Sequence, residues 1–251
     1  YTDTRGPGSL PEVNSDGPRE IIGMLCPHAG YPFSGAPAAY CYHELAADGI
    51  PDVAVIVGPS HRNPRPAIQT EGAWRTPLGD MPVDEDIATS IAAGLSGFSD
   101  EPTAFSGEHS LEVQVPFLQH LYDGDVPIVP LMMVGQSQDA VTRIADAVVD
   151  GIGGSDAVVI ASSDMTHFQS KETAREQDML LIDEMKELDS EGLLQQRAAR
   201  DISMCGAGPA AVMLQVALQR NASSAELLTY THSGEVQPSA QVVGYASMVV
   251  R

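Results

Sequence analysis

The chain has 251 residues, 43% of them hydrophobic and 5% aromatic, and its 34 acidic residues against 13 basic ones give a net charge of −21. This length and composition are typical of a folded globular protein with one substantial core. The negative field excludes nucleic acid and anionic membrane as partners, and no apolar run approaches the ~20 residues that cross a bilayer.

The first half of the chain alternates short apolar runs with helical patterns, after a polar lead-in at residues 1–19 that Pro and Gly interrupt. Continuous apolar runs predict buried strands, whereas apolar residues spaced three and four apart predict helices. These patterns predict strands at 21–25, 53–57 and 128–134, an outlying strand or hairpin arm at 67–76, and helices at 35–47, 84–95 and 110–121, the last interrupted or restarted at Pro116.

The second half of the chain continues this alternation. It predicts a helix at 139–150, a strand at 158–161, helices at 171–188 and 209–218, and closing strands at 227–231 and 242–250. Strands that are apolar throughout and alternate with helices predict a mainly parallel sheet covered on both faces, with a closing pair that can be antiparallel. No internal repeat or long linker divides the chain, so residues 1–251 are predicted to form one α/β domain.

Three histidines, His28, His61 and His167, each follow a predicted buried strand. Ligands of open parallel sheets bind outside the carboxyl ends of the strands, so the first two side chains can converge if their strands are neighbours. Cys205 precedes the helix predicted at 209–218, where the helix dipole favours a thiolate. Imidazole and thiolate suit iron, copper or zinc, and the sequence therefore predicts a transition-metal site at this edge.

Other polar residues near these motifs have two interpretations each. Asp164, three residues before His167, could orient an imidazole or carry a proton, but an aspartate after a strand is also a common turn former. His232 lies before a predicted turn and is either a rim residue or a ligand.

Glu108 and His109 lie at the start of the helix predicted from residue 110. Together with Glu112 they share a helix face only partly, because the spacings are three and four residues. Capping of the helix entry, with Ser106 or Ser110 as the cap, is the alternative explanation for this polar segment.

Nucleophilic hydrolysis is a weaker alternative to metal chemistry. Ser60 beside His61, and the run 162–164 near His167, contain the residue types of a catalytic triad. However, no G-x-S-x-G elbow is present, and no glycine follows Ser60. Neither a G-x-G-x-x-G nor a Walker phosphate loop occurs.

The cysteine and lysine contents indicate the compartment. The chain has three cysteines, Cys26, Cys41 and Cys205, which is an odd number and includes no C-x-x-C pair. This predicts a reducing, intracellular compartment and no structural zinc knuckle. Lys171 and Lys186 are the only lysines. With a charge of −21, this predicts the high-salt cytoplasm of a halophilic archaeon, because salt screens the repulsion; an ordinary acidic surface is the alternative.

Six motifs follow one another along the chain: PHAGYPFSG (27–35), GPSH (58–61), EHSLEVQVPFL (108–118), SSDMTH (162–167), CGAGP (205–209) and THSGE followed by VVGYAS (231–247). In these motifs, which span nearly the whole chain, the sequence resembles the Memo family, whose microbial members are also named AmmeMemoRadiSam system protein B. The family's usual AG.FYP opening is absent and the chain starts at Tyr1, which predicts that the native N-terminus is missing.

The resemblance implies a three-layer α/β sandwich like that of class III extradiol ring-cleaving dioxygenases. It implies a metal-binding trio of His28, His61 and Cys205. It also implies that a set of catalytic residues lines the same pocket: His167, Asp164, Glu108 and His109. Those dioxygenases use two histidines and a glutamate, so a cysteine ligand argues against ring cleavage, because a thiolate shifts the redox potential and can itself be oxidised.

We therefore expect a metal-dependent oxidoreductase that uses iron or copper, with zinc as a further option, and a small-molecule pocket at the carboxyl edge of the sheet. The family name implies a radical-SAM protein and an AMMECR-type protein as partners. The alternatives are a non-enzymatic binding module for a peptide or an anion, and a class III extradiol-type dioxygenase. Because no segment resembles a signal peptide, we expect a cytoplasmic location.

Overall fold

An eight-stranded sheet forms the centre of the structure, a computed structural model that describes residues 1–251. The strands of the protein are β1 (Gly23–Cys26), β2 (Val53–Pro59), β3 (Ala67–Ile68), β4 (Ala73–Thr76), β5 (Gly79–Pro82), β6 (Ile128–Met133), β7 (Ala157–Ser162), β8 (His167–Gln169), β9 (Ala225–His232) and β10 (Val242–Val250). The helices are α1 (Tyr31–Asp48), α2 (Glu85–Ala93), α3 (Val115–Tyr122), α4 (Gln138–Ile152), α5 (Lys171–Lys186), α6 (Ser190–Ala199) and α7 (Ala207–Gln219). None of these helices has the length and apolar character that a membrane span requires.

The sheet is mixed, with a parallel centre. Its strand order is β3-β6-β2-β7-β1-β10-β8, and β9 pairs with β10, whereas β4 and β5 form a separate hairpin. Strands β6, β2, β7 and β1 are parallel to one another. Strand β10 is antiparallel to β1, β8 and β9. The predictions of a mainly parallel sheet and of an antiparallel closing pair are confirmed.

Helices cover both faces of the sheet. Because successive strand residues point to opposite faces, Leu25 and Val57 belong to a core shared with α2, α4 and α7, whereas Met24 and Ile56 pack with α1 and α3. Both faces are therefore buried, which explains why these strands are apolar at every position. The α/β three-layer sandwich predicted from the sequence is confirmed.

Two segments differ in detail from their predicted structure. Residues 67–76 form two short strands, the second of which is one arm of the β4–β5 hairpin. The segment predicted as a helix from residue 110 starts as a 3-10 turn at Glu112–Gln114 before α3 begins. Ser110 does not cap a helix, because its hydroxyl donates to the Pro59 carbonyl at 2.7 Å.

Helix α6 was not predicted, since its sequence contains a glycine and no clear apolar period. Its start is fixed by Asp189, whose carboxylate accepts a hydrogen bond from the Gly192 backbone N–H at 2.8 Å. This is the usual N-cap arrangement, which satisfies one of the unpaired donors of the first turn. Leu193 is the one fully buried apolar residue of this helix and attaches it to the core.

The polar lead-in is attached to the domain by a buried ion pair. Asp48 bonds to the Arg19 guanidinium and also accepts from the backbone N–H groups of Glu20 at 2.8 Å and Ile21 at 3.0 Å. Its side chain is 5% exposed. Asp48→Ala leaves the buried Ile21 N–H without its partner, although Arg19 stays bonded to Asp156 at 2.8 and 2.9 Å, so the free energy of unfolding should fall by about 2 kcal/mol. Equilibrium denaturation by urea measures this loss.

The hairpin provides a matched control for this prediction. Asp80 also bonds to an arginine, in this case bidentately to Arg75 at 2.6 and 2.8 Å, but both side chains are largely exposed. Exposed pairs of this kind contribute little, because water screens them. Asp80→Ala should leave the denaturation midpoint unchanged, and equal losses in the two variants would contradict the assignment of Asp48 as the buried anchor.

Candidate metal centre

The carboxyl ends of β1, β7 and β2 lie at one edge of the sheet, and two of the predicted site histidines follow these strands. His28 follows β1 and His61 follows β2, and β7 lies between these two strands, so the condition that the strands are neighbours is not met. Their rings nevertheless approach to 5.3 Å between centroids. Strand β7 ends in the small residue Ser162, and the two imidazoles can therefore meet across its end.

His109 completes the group of histidines. It comes from the turn before α3, and its ring lies 4.9 Å from the ring of His61 and 5.5 Å from that of His28. One ring nitrogen from each of the three residues lies within 4.8 Å of the others. Three imidazole nitrogens at this spacing are a suitable donor set for a transition metal.

Glu108 orients two of these residues. Its carboxylate accepts from the His61 Nδ1 at 2.9 Å and from the backbone N–H groups of His61, His109 and Ser110 at 2.6–2.9 Å. Burial by itself would raise the pKa of Glu108, but these hydrogen bonds outweigh it and hold the pKa well below its usual range. The ionised carboxylate can only accept, so the His61 Nδ1 carries the proton and Nε2 is free to bind a metal.

A buried serine sets the protonation of His28 in the same way. The Ser162 hydroxyl bonds to the Ser110 carbonyl, which can only accept, and so the hydroxyl proton lies on that side. The Ser162 oxygen then accepts from the His28 Nδ1 at 3.0 Å and from the Gln114 Nε2 at 2.8 Å. The His28 Nε2 is therefore unprotonated and points away from this network.

Burial also keeps His28 neutral. The side chain is fully buried, and its desolvation, together with the neighbouring His61 and His109, lowers the pKa of His28 well below its usual value. A metal ligand must be neutral imidazole rather than imidazolium. The donors present at this edge thus fit a transition-metal ion.

Cys205 lies next to the histidines but in a different protonation state from the one expected. Its Sγ is 3.2 Å from the His28 Nε2, and it lies outside the compact group of three histidines. Burial and the nearby Asp164 carboxylate raise the pKa of the Cys205 thiol to about 12. The expectation of a thiolate is wrong for the metal-free protein, because desolvation outweighs the helix dipole. Its role as a ligand remains a prediction.

Asp164 and His167 lie beside this group. Asp164 is buried and accepts from the backbone N–H groups of His28 at 2.8 Å and Ala29 at 3.2 Å, so it holds the loop that carries His28. Burial raises the pKa of Asp164. The His167 Nδ1 faces the Ser203 carbonyl at 3.0 Å, which leaves its Nε2 available as a proton acceptor. Their catalytic roles remain predictions.

A cleft of about 730 Å³ adjoins the centre. Glu108 contributes to its wall, and its apolar lining comes from Tyr31, Trp74, Leu78, Phe105, Val113 and Pro116. The sequence prediction did not identify this cleft, because the hairpin that brings Trp74 to Phe105, 5.4 Å between ring centroids, is distant from the strand ends in sequence. The one feature of the sequence that could have pointed to this cleft is Trp74, the only tryptophan in the chain.

The remaining candidates lie outside the histidine group. Ser60 donates to the Asn63 carbonyl at 2.7 Å and Ser163 donates to the Asp164 carbonyl at 2.7 Å, so neither hydroxyl is bonded to a histidine base. A serine nucleophile would need such a base. His232 lines a different cavity, together with residues of α5.

Comparisons with known proteins agree on one family. The profile described as Memo-like protein matches residues 8–249. A MEMO1 family protein of Methanopyrus kandleri is 41% identical over 98% of this chain and 88% of its own length. A MEMO1 family protein of Methanothermobacter thermautotrophicus is 39% identical over 97% and 88%.

A solved structure has a similar fold. An uncharacterized protein, JW3007 from Escherichia coli K12, matches 91% of this chain and 99% of its own, with a TM-score of 0.56 and 12% identity. At this identity the similarity concerns the fold alone.

Proposed function

Because the chain belongs to the Memo-like protein family, we propose that it is a metal-dependent oxidoreductase with its ion at the histidine centre. The observation that carries this proposal is the group of three imidazoles with one ring nitrogen each within 4.8 Å of the others. In His28 and His61 the Nδ1 hydrogen bonds leave Nε2 free for an ion. His28 and His61 would bind the ion, with Cys205 or His109 as the next ligand. We also propose that the protein works in a high-salt cytoplasm.

The donor set favours iron or copper, with zinc as a further option. Imidazole suits all three metals, and a thiol next to the site favours softer ions over magnesium or calcium. A bound iron or copper ion would supply electron-transfer chemistry. Glu108 would hold His61 in its ligand tautomer, and the His167 Nε2 would accept a proton from the substrate.

The adjoining cleft is the small-molecule pocket of this proposal. Its apolar wall would exclude water from the reacting end of a substrate, and its volume of about 730 Å³ suits a small organic molecule. The partners implied by the family name, a radical-SAM protein and an AMMECR-type protein, would act on the same metabolite before or after this protein.

The second candidate is a binding module without catalysis. An anionic ligand fits this cleft poorly, because Glu108 and Glu112 both line it and Arg75, its one guanidinium, is paired with Asp80. Cleavage of an aromatic ring by an extradiol-type reaction is a third candidate, which becomes favoured if Cys205 is not a ligand.

Elemental analysis of protein purified without chelator tests the proposal. We expect about one iron or copper ion per chain and an absorption band that changes reversibly on reduction and reoxidation. The same band should be absent from the His61→Ala variant, and circular dichroism checks that this variant is folded. A preparation that contains zinc alone, or that takes up no ion from added iron or copper, would contradict electron transfer at the bound ion, because zinc has no redox chemistry of its own.

A further inference from the structure

A second cavity, which shares no lining residue with the histidine centre, contains more basic than acidic residues. It measures about 480 Å³ and is formed by the edge strand β9, the first turns of α5 and the lead-in. Its lining contains three of the chain's 13 basic residues, Arg5, Lys171 and Arg175, against two acidic ones, Glu172 and Glu235. In the whole chain the acidic residues outnumber the basic ones, 34 to 13, whereas in this cavity the basic residues outnumber the acidic ones.

The cations of this cavity differ in how far they are already neutralised. Arg5 is bound bidentately by Asp3 at 2.9 and 3.0 Å, and Lys171 lies 3.7 Å from Glu172. Arg175 has no carboxylate partner in the structure; its guanidinium carbon lies 5.4 Å from the centre of the Tyr230 ring. A guanidinium held over an aromatic ring keeps its N–H groups free for an oxyanion.

Uncharged donors complete the lining. Thr229 and Thr231 belong to the lining, and neither hydroxyl makes a hydrogen bond within the protein. His232 belongs to the same wall, with its Nε2 at 3.5 Å from Glu235. The motif THSGE, which the histidine centre does not use, thus contributes to this cavity.

We propose that this cavity binds a small-molecule oxyanion, either a carboxylate or a phosphate, with Arg175 as its main contact. A free guanidinium and an ammonium group match the acceptors of such a group. In a chain of net charge −21, a locally basic cavity is the place where an anion meets attraction rather than repulsion. The cavity shares no residue with the histidine centre or with the apolar cleft, so the proposal is independent of the proposed function.

Titration followed by amide NMR shifts tests this site, with sodium chloride replaced by inorganic phosphate or by malonate at constant ionic strength. We expect saturable shifts at residues 171–175 and 229–232 with one probe or both. Saturation by phosphate alone would identify a phosphate ligand, and saturation by malonate alone a carboxylate. Shifts that do not saturate with either probe, or that centre on residues 28, 61 and 109, would overturn the proposal.

Two lysines of the same helix provide a matched pair of variants. Lys171→Gln removes a charge from the cavity, whereas Lys186→Gln removes the same charge from the other end of α5, where Lys186 pairs with Asp183 at 4.0 Å. We expect Arg175→Gln to raise the dissociation constant about tenfold or more, consistent with the loss of a charged hydrogen bond. Lys171→Gln should raise it several-fold and Lys186→Gln should not change it. Equal effects of the two lysine variants, or none from Arg175→Gln in a folded protein, would show general charge screening instead.

Discussion

Alanine in place of His28 or of His61 should weaken the binding of copper, iron or zinc by at least about 100-fold. Loss of a residue that merely orients a metal ligand costs 10–100-fold in affinity, and loss of the ligand itself should cost more. Both imidazoles have Nδ1 engaged, with Ser162 and Glu108 respectively, which leaves Nε2 as the free ring nitrogen. Competition with a chromophoric chelator measures the affinity.

The control for these variants is His43→Ala. His43 lies in α1, where one ring nitrogen is 3.1 Å from the Ser9 hydroxyl, and it belongs to no group of potential ligands. Its replacement should leave the affinity unchanged. Unchanged affinity in His28→Ala or His61→Ala would remove the histidine centre as the metal site.

Two further variants, measured in the same assay, decide which residue is the third metal ligand beside His28 and His61. The compact geometry favours His109, whereas the family resemblance favours Cys205, whose Sγ contacts the His28 Nε2 at 3.2 Å. We expect both His109→Ala and Cys205→Ser to weaken binding, with the cysteine variant showing the larger loss for copper, since copper prefers a soft thiolate. Cys41→Ser is the control, because Cys41 is buried against the Leu25 carbonyl. If Cys205→Ser binds copper as the original protein does, the centre consists of histidines alone.

Dilution from 1 M to 0.01 M sodium chloride should lower the Tm by at least about 10 °C. The Debye length grows from about 3 Å to about 30 Å over this range, so the repulsion among the acidic residues is no longer screened. A chain of this size loses about 2–4 °C per kcal/mol, and a net charge of −21 is expected to cost several kcal/mol. Differential scanning calorimetry at the two concentrations measures the change.

The outer face of α4 offers a variant that isolates the charge effect. Asp139, Asp146 and Asp150 line one shallow surface with a single base, Arg143. Asp146 and Asp150 are four residues apart and repel each other on the helix surface. Asp150→Asn should therefore raise the Tm at 0.01 M salt and leave it unchanged at 1 M. Equal Tm values of the unaltered protein at the two salt concentrations would contradict adaptation to high salt.

The fold could be predicted largely from local patterns. The strands at the centre of the sheet are buried on both faces, so continuous runs such as Val53–Val57 and Val158–Ala161 identified them. Helix α6 has no such pattern, because only one of its apolar residues is fully buried and its start depends on the Asp189 cap. Strand order is not a local property, and β7 was not expected between β1 and β2.

The site residues could be predicted as a set, but their arrangement could not. His28 and His61 meet at one edge, where their positions after strands allowed them to converge, whereas the place of Glu108 beside them was implied only by the family resemblance. The arrangement of His109 depends on the turn in which Glu108 accepts from the backbone N–H groups of His109 and Ser110, which no spacing rule describes. The thiol state of Cys205 depends on burial by distant segments, and a helix dipole read from sequence carries no information about desolvation.

The place of β1 in the sheet has a consequence for biosynthesis. This strand leaves the ribosome early, yet both strands that flank it, β7 and β10, are made much later. Until residues 242–250 emerge, one edge of β1 is unpaired, and the apolar faces of the nascent chain are without their closing strand. The domain therefore completes its folding only after β10 has been translated, and until then the growing polypeptide exposes apolar segments of the kind that chaperones bind.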